Sequence, residues 1–150
     1  MSRENMLESL RAVQRGELSP EDMLIRLKME PFEDIDYAKI DHHRALRKGA
    51  AEVIYGLSKT PEQIEGIARR MMEGGGENIL ITRMAKEAAD FVAASLPLTY
   101  DGTSSIGIVN PVAIKGVGSI VVASGGTSDM PVCEEAAQTA EVLGNKVTRL

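Results

Sequence analysis

Apolar residues recur at helical spacing in the first thirty positions of the chain. Over Glu4–Arg15 they recur every three to four residues, and Gly16 fits the position just past a helix end. In the next segment, LSPEDMLIRLK, Ser19 can cap a helix whose first position is Pro20. The pattern predicts an N-terminal segment of two short helices over residues 1–34.

From residue 35 the pattern changes to short β-prone runs that alternate with helices. AEVIYG and NILIT are typical of strands, LPLTY is a further candidate, and SSIGIVNPV is an extended piece or a linker. Between them, Thr60 and Gln63 form a capping box that starts one helix, and Met84–Ala94 is an alanine-rich second helix. This order predicts a small parallel α/β domain over residues 35–115.

The last third of the chain repeats the same theme. GSIVVAS is a β-branched strand, Met130–Leu143 a helix and KVTRL a second strand, which predicts a right-handed β-α-β unit over residues 116–150. Two parallel strands are not a stable sheet by themselves, because parallel strands need both faces covered. Either this pair joins the earlier sheet, or residues beyond Leu150 are missing.

Composition narrows the class of protein. The 150 residues are 43% hydrophobic but only 3% aromatic, and no run approaches the roughly 18 apolar residues of a membrane span. A net charge of −5 argues against a nucleic-acid binder, which would carry a basic face. The N-terminus lacks the continuous apolar core of a signal peptide, and a single cysteine, Cys133, excludes an internal disulfide. We expect a cytoplasmic chain with neither a nucleic-acid nor a membrane partner.

The GGTSD loop is the first candidate site, because it follows a strand and precedes a helix, where parallel α/β proteins bind anions. Gly125 and Gly126 allow close backbone approach and positive φ. Thr127 and Ser128 offer hydroxyls to a phosphate, and Asp129 can accept from ribose hydroxyls. An ordinary turn capped by Ser128 or Asp129 explains the pattern equally well, so both interpretations stay open at this point.

The segment DHHRALRKG is the second candidate, for anions rather than for a metal. His42 and His43 are adjacent, and adjacent residues of an extended strand point to opposite faces, so they do not share one ion easily. We predict no metal site. Arg44 and Arg47, with Lys59, are better suited to contact phosphate or carboxylate, and a solvated charged loop is the alternative.

Two further residues lie where strands meet helices. Arg83 follows NILIT and precedes a helix, which makes it another candidate anion contact, with an exposed arginine at a strand end as the alternative. Cys133 lies in the first turns of a helix near the GGTSD loop, where an exposed thiol would have a lowered pKa. A single cysteine on a helix is more often a small core residue, so we do not assign it as a nucleophile.

Several motifs together resemble a known superfamily. The strand–GGTSD–helix unit followed by EEAAQTAEVLGNKVTRL resembles the start of the carboxyaminoimidazole ribonucleotide mutase and aminoimidazole ribonucleotide carboxylase domain. The upstream segments DHHRALRKG, AEVIYGLSKTPEQ and ILITR resemble one branch, the nickel-pincer-cofactor carboxylases (pyridinium-biscarboxylic acid mononucleotide synthases). The resemblance runs from about Asp36 to Leu150, although many members carry Pro where Ala51 stands. The expected fold class is therefore α/β: the N-terminal helices and the small parallel α/β unit that the pattern predicts, and then, as the resemblance implies, the first β-α-β of a flavodoxin-like three-layer sandwich.

The resemblance implies a carboxylation reaction. In that branch, carbon dioxide carboxylates the pyridinium ring of nicotinic acid adenine dinucleotide, and hydrolysis of the phosphoanhydride then releases AMP. Carried over residue by residue, Gly126, Thr127, Ser128 and Asp129 match the family's loop for phosphate and ribose. Carbon dioxide is thus the implied co-substrate, no resident cofactor is assigned, and whether Mg²⁺ joins the site stays open.

The catalytic cysteine of the family adds to the ring and splits one hard step into two easier ones. It belongs to a segment downstream of Leu150, and Cys133 is not its counterpart. The resemblance therefore implies that this chain is a fragment with an incomplete mutase-like domain, and we expect it to be inactive alone. Superfamily members assemble as octamers through that domain, so a homo-oligomer is expected.

Two other functions remain open. The first is a purine-pathway carboxylase or mutase acting on an aminoimidazole ribonucleotide; the roughly 115 residues before the mutase-like strand count against it. The second is a non-enzymatic nucleotide-binding or assembly module, in which the loop binds phosphate and the preceding residues serve interaction.

Overall fold

The computed structural model describes residues 3–29, 32–34, 39–41, 52–113, 116 and 118–150. The chain forms two compact units, Met1–Ala51 and Glu52–Leu150. The divisions predicted after residues 34 and 115 stay a prediction. Within the described ranges, every helix is too short or too polar to cross a membrane.

The first unit contains the two predicted helices and a small hairpin. Among the residues of this unit that the structure describes, the elements are α1 (Arg3–Gln14), α2 (Pro20–Met29), β1 (Phe32–Asp34) and β2 (Lys39–Asp41), with β1 and β2 antiparallel. Ser19 caps α2 as predicted, since its Oγ accepts a hydrogen bond of 2.9 Å from the Asp22 N–H. Gly16, after α1, has a φ of +74°, the left-handed conformation that glycine adopts without strain.

The second unit contains both helices and strands. Its elements are β3 (Ile54–Tyr55), α3 (Pro61–Glu73), β4 (Ile79–Thr82), α4 (Lys86–Ala93), β5 (Leu98–Asp101), β6 (Ile106–Val109), β7 (Gly118–Val122), α5 (Met130–Val142) and β8 (Asn145–Arg149). The predicted α/β class is therefore confirmed.

The strands β3 to β6 form one four-stranded sheet in the order β3-β4-β6-β5. Only β3 and β4 are parallel, while β4–β6 and β5–β6 are antiparallel, so the prediction of a parallel sheet in this unit is wrong for two of its three pairs. The reason is the connection between β5 and β6. Only residues 102–105 join them, whereas a parallel crossover needs a dozen residues or more.

Helices α3 and α4 contact each other and pack on this sheet. The capping box of α3 is formed as predicted: the Thr60 Oγ1 accepts from the Gln63 N–H, and the Gln63 Oε1 accepts from the Thr60 N–H. Side chains with at most 1% exposure form the centre of the core: Ile64, Ala68, Ile79, Ile81, Met84, Val92, Ile106 and Val109. The apolar stripe of α3 and the β-branched run of β4 are the sequence features that produce this burial.

The predicted β-α-β unit is confirmed, but it does not extend the four-stranded sheet. Strands β7 and β8 are parallel and form a separate two-stranded sheet, with Ile120 opposite Val147. Helix α5 packs against both of these strands and also contacts β4. Helix α5 therefore contacts both sheets.

Candidate functional site

The GGTSD loop lies where the sequence predicted it, between the carboxyl end of β7 and the start of α5. All five of its residues are exposed: Gly125, Gly126, Thr127, Ser128 and Asp129. A hydrogen bond of 3.1 Å from the Asp129 N–H to the Gly126 carbonyl closes a turn in the loop. The loop therefore presents its hydroxyl and carboxylate groups to solvent beside a helix N-terminus.

The Asp129 side chain does not cap helix α5. Asp129 has the αR conformation, and its carboxylate makes no capping hydrogen bond. It accepts instead from the Ser128 hydroxyl, at 3.5 Å. The alternative in which Asp129 merely caps the helix is thus not what the structure shows, and the first N–H groups of α5 receive no bond from this carboxylate.

The two glycines of the loop leave space beside the backbone, and neither adopts an unusual backbone conformation. Neither Gly125 nor Gly126 is among the residues with positive φ, so the turn does not use the left-handed conformation that these glycines allow. A Cβ built on Gly126 would meet nothing within 4 Å, and one on Gly125 would lie 3.7 Å from the Asp129 Oδ2. The backbone at Gly126 is therefore open to close approach by a ligand.

A cavity of about 180 Å³ lies beside the loop, at the carboxyl ends of β7 and β8. Its lining consists of Val122, Ser124, Met130, Cys133, Glu134, Arg149 and Leu150. The Cys133 thiol is half-buried and donates to the Ala123 carbonyl at 3.6 Å. The cysteine thus packs against the end of β7, as a structural residue would.

Arg83 is paired rather than free. It lies directly after β4 with a φ of +53°, which non-glycine residues rarely adopt. Its Nε donates to the Glu135 Oε1 at 3.2 Å, and its Nη2 lies 3.1 Å from the Glu135 Oε2. This bidentate pair uses two nitrogens of the guanidinium, and it connects the end of β4 to α5.

The other predicted anion contacts divide into two groups. Lys59 is half-buried between β3 and α3, at the same edge of the sheet as Arg83, because β3 and β4 are parallel and adjacent. Arg44 and Arg47, like His42 and His43, lie outside the described residues. Among the described residues, no group of three or more His, Cys, Asp or Glu side chains could hold a metal ion.

A polar network that the sequence did not predict surrounds the middle of α5; its members are Asp101, Ser104, Glu134, Gln138, Glu141 and Arg149. The Gln138 Nε2 donates to the Asp101 carboxylate and, at 3.2 Å, to the Glu134 Oε1. The Ser104 Oγ lies 3.3 Å from the Gln138 Oε1 and 3.2 Å from the Asp101 Oδ2, so its single O–H is shared between these two acceptors. The amide of Gln138 thus connects the turn after β5 to helix α5.

Arg149, at the end of β8, completes this polar network. Its Nη2 donates to the Glu134 Oε1 at 2.7 Å, and its Nη1 donates to the Glu141 Oε1 at 2.6 Å. Hydrogen bonding to Arg149 holds the pKa of the Glu134 carboxyl below its ordinary value. The pKa of Asp101 is also lowered, chiefly by the backbone N–H of Thr103. Both carboxyls are therefore held in their ionised form.

Sequence reasoning missed Glu135 and the polar network for a simple reason. Glu135 is 52 residues from Arg83, and Gln138 is 37 residues from Asp101. The only local signal is the i,i+4 spacing of Glu134 and Gln138 on one face of a helix. That spacing predicts a helical face and gives no information about the sheet on which it packs.

The chain is similar in sequence to one protein family and to a longer archaeal protein. Residues 32–111 match the family described as the LarB/PurE-like N-terminal domain. The chain is also 26% identical over 148 residues to the "Uncharacterized protein MJ0165" of Methanocaldococcus jannaschii. That alignment covers 93% of this chain and 58% of the relative, so the chain spans a little over half the length of the curated relative it matches.

Proposed function

Because the chain belongs to the LarB/PurE-like N-terminal domain family, we propose that it forms part of a carboxylase for the pyridinium ring of nicotinic acid adenine dinucleotide. The family is of the carboxylase and mutase type. In the proposed reaction carbon dioxide is the co-substrate, and hydrolysis of the phosphoanhydride releases AMP. The product serves nickel-pincer cofactor biosynthesis, and the whole enzyme is a cytoplasmic homo-oligomer.

One observation carries this proposal. An exposed GGTSD loop follows the family's domain in the chain, and the N-terminus of the helix behind it is not capped by Asp129. Helix N-termini attract anions through their unpaired N–H groups and the helix dipole. We assign the phosphate to the open backbone at Gly126 and to the hydroxyls of Thr127 and Ser128, and the ribose hydroxyls to Asp129.

We assign no catalytic cysteine within these 150 residues. The Cys133 thiol points to the Ala123 carbonyl at the end of β7, rather than into the loop. The chain's own residues therefore bind and orient the nucleotide, and the group that adds to the ring is not among those assigned here. Carbon dioxide uptake, and any role for Mg²⁺, belong to the whole enzyme.

A purine-pathway carboxylase or mutase is the second candidate. The strand–GGTSD–helix unit resembles both branches of the superfamily, and the matched family is described as PurE-like as well as LarB-like. Its substrate, an aminoimidazole ribonucleotide, carries one phosphate and no second nucleoside. The two candidates therefore differ in the ligand that the loop should prefer.

Calorimetric titration of this chain with each of the two nucleotides tests the proposal. We expect nicotinic acid adenine dinucleotide to bind more tightly, and Asp129→Ala to weaken its affinity by about tenfold, as for the loss of a hydrogen bond to a charged group. Asp90→Ala, in the middle of α4, is the matched control and should leave the affinity unchanged.

Turnover is measured in parallel by AMP release and by the mass of the carboxylated product. It is assayed with this chain and with the longer Methanocaldococcus relative. Preference for the aminoimidazole ribonucleotide would favour the second candidate. Absence of binding to either nucleotide would leave only an assembly role and contradict both enzymatic proposals.

A further inference from the structure

Helix α5 carries the GGTSD loop at its N-terminus and lies between the two sheets of the second unit. On one side, Cys133 reaches the end of β7, and on the other side Glu135 and Gln138 reach the segments that follow β4 and β5. Ala137, between them, has no exposed surface. An alanine allows close packing but offers little side chain to interlock with the sheet. The polar side chains around it therefore have the larger part in fixing the orientation of α5.

The pair between Arg83 and Glu135 sets one fixed point for α5. The guanidinium meets the carboxylate through two nitrogen–oxygen contacts, a geometry that restricts direction as well as distance. The Glu135 side chain is only 22% exposed, so solvent weakens this pair less than an open surface pair. Glu135 therefore ties α5 to the end of β4.

Gln138 sets a second fixed point, less than one helical turn further along. Its amide nitrogen donates to both Asp101 and Glu134, and its amide oxygen accepts from Ser104. Each end of the amide is thus used. An apolar residue of similar size would remove every hydrogen bond that Gln138 makes to these partners, which makes the contact specific to the amide.

We infer that Glu135 and Gln138 are positioning residues that hold α5, and with it the loop 125–129, in one orientation on the β3-β4-β6-β5 sheet. Neither belongs to the loop: Glu135 is six residues beyond Asp129, roughly 9 Å along the helix axis. They act through the helix and do not touch the nucleotide. The inference deepens the proposed function and rests on it for the identity of the ligand, while its geometric part is tested without ligand.

Hydrogen exchange of the ligand-free chain tests the geometric part. We expect Glu135→Gln and Gln138→Leu each to speed exchange of the α5 amides by about threefold to fivefold, the range typical of losing one partly exposed pair. Asp90→Asn removes the ion pair with Lys86 on α4 and is the matched control; it should leave exchange in α5 unchanged. Unchanged α5 exchange in both test variants would overturn the inference.

Swapping the charges of Arg83 and Glu135 distinguishes a positioning role of this pair from a direct contact with the ligand. We expect Arg83→Glu and Glu135→Arg each to raise the dissociation constant for nicotinic acid adenine dinucleotide about fivefold, and the double variant to bring it back to within about twofold of the original chain. If the double variant restores slow exchange but not affinity, Arg83 contacts the ligand itself and the positioning role of the pair is wrong. If the unaltered chain binds no nucleotide, the proposed function fails, and the exchange result alone decides the inference.

Discussion

In the four-stranded sheet Ile81 and Val109 have no exposed surface, whereas in the two-stranded sheet Val121 is 59% exposed. The first region, which is the four-stranded sheet with its helices, is covered by α3 and α4. Its core consists of large aliphatic side chains. The second region, residues 118–150, contributes Ala137 as its buried hydrophobic residue. Similar sequence patterns have therefore produced two regions that differ greatly in burial.

The two regions differ in how they are held and in what they expose. The first region buries enough apolar surface to be stabilised by the hydrophobic effect. The second is attached through Arg83–Glu135 and through the polar network, and it carries the exposed loop. The binding role that we propose for the loop requires accessible polar groups, and these lie on the less buried region, beside a well-packed one.

The largest expected effect concerns the burial of side chains in the four-stranded sheet. Ile81→Ala should lower the free energy of unfolding by about 2–5 kcal/mol, because a fully buried branched side chain is replaced and a cavity remains. Val121→Ala should change it by no more than about 0.5 kcal/mol, as for most exposed positions. Urea unfolding followed by circular dichroism measures both variants. Equal losses would show that the two regions do not differ in this way.

The helix caps give a second, smaller contrast. Thr60→Ala should lower the free energy of unfolding by about 1 kcal/mol, because it removes one half of the capping box of α3. Asp129→Ala should lower it by less than about 0.5 kcal/mol, because this side chain makes no capping bond. Thr60→Ser keeps the hydroxyl and serves as the control. A loss at Asp129 as large as that at Thr60 would mean that the carboxylate serves stability.

The helices were predictable from the sequence because their signals are local. Ser19 and Thr60 mark helix starts within three residues of the groups they cap, and both caps are formed. The spacing of apolar residues in α3 predicts the face that is buried. The same holds for the β7-α5-β8 unit, whose alternation of strand, turn residues and helix is confirmed.

Strand pairing and the partners of the polar side chains could not be predicted in this way. The sequence marked LPLTY and SSIGIVNPV as extended, but their antiparallel pairing depends on the short connection between them and on the strand that each one meets. Arg83 was a candidate contact for an anionic ligand, with an exposed arginine as the alternative, and in the structure it pairs with a carboxylate of this chain, 52 residues away. A charged residue at a strand end shows that an opposite charge is favoured nearby, without identifying its source.

The smallest expected effect concerns the attachment of the second region and its dependence on pH. Arg149 holds the pKa of Glu134 below its ordinary value of 4.5, so the folded state binds this proton less readily than the unfolded chain does. A carboxyl of this kind stabilises the fold fully above its ordinary pKa, and the contribution is lost as the pH falls below that value. Glu134→Gln should therefore lower stability at pH 7 by about 1 kcal/mol at most, since the pair is partly exposed.

Thermal unfolding of the original chain and of Glu134→Gln, measured between pH 7 and pH 3, tests this dependence. The difference between the two melting temperatures should be constant down to about pH 5 and should then shrink, because protonation removes from the original chain what the glutamine already lacks. Glu77→Gln, at an exposed position before β4, corrects for the loss of one negative charge. A difference that grows in acid would mean that Glu134 is destabilised by its neighbours and that Arg149 does not attach β8 to α5 through it.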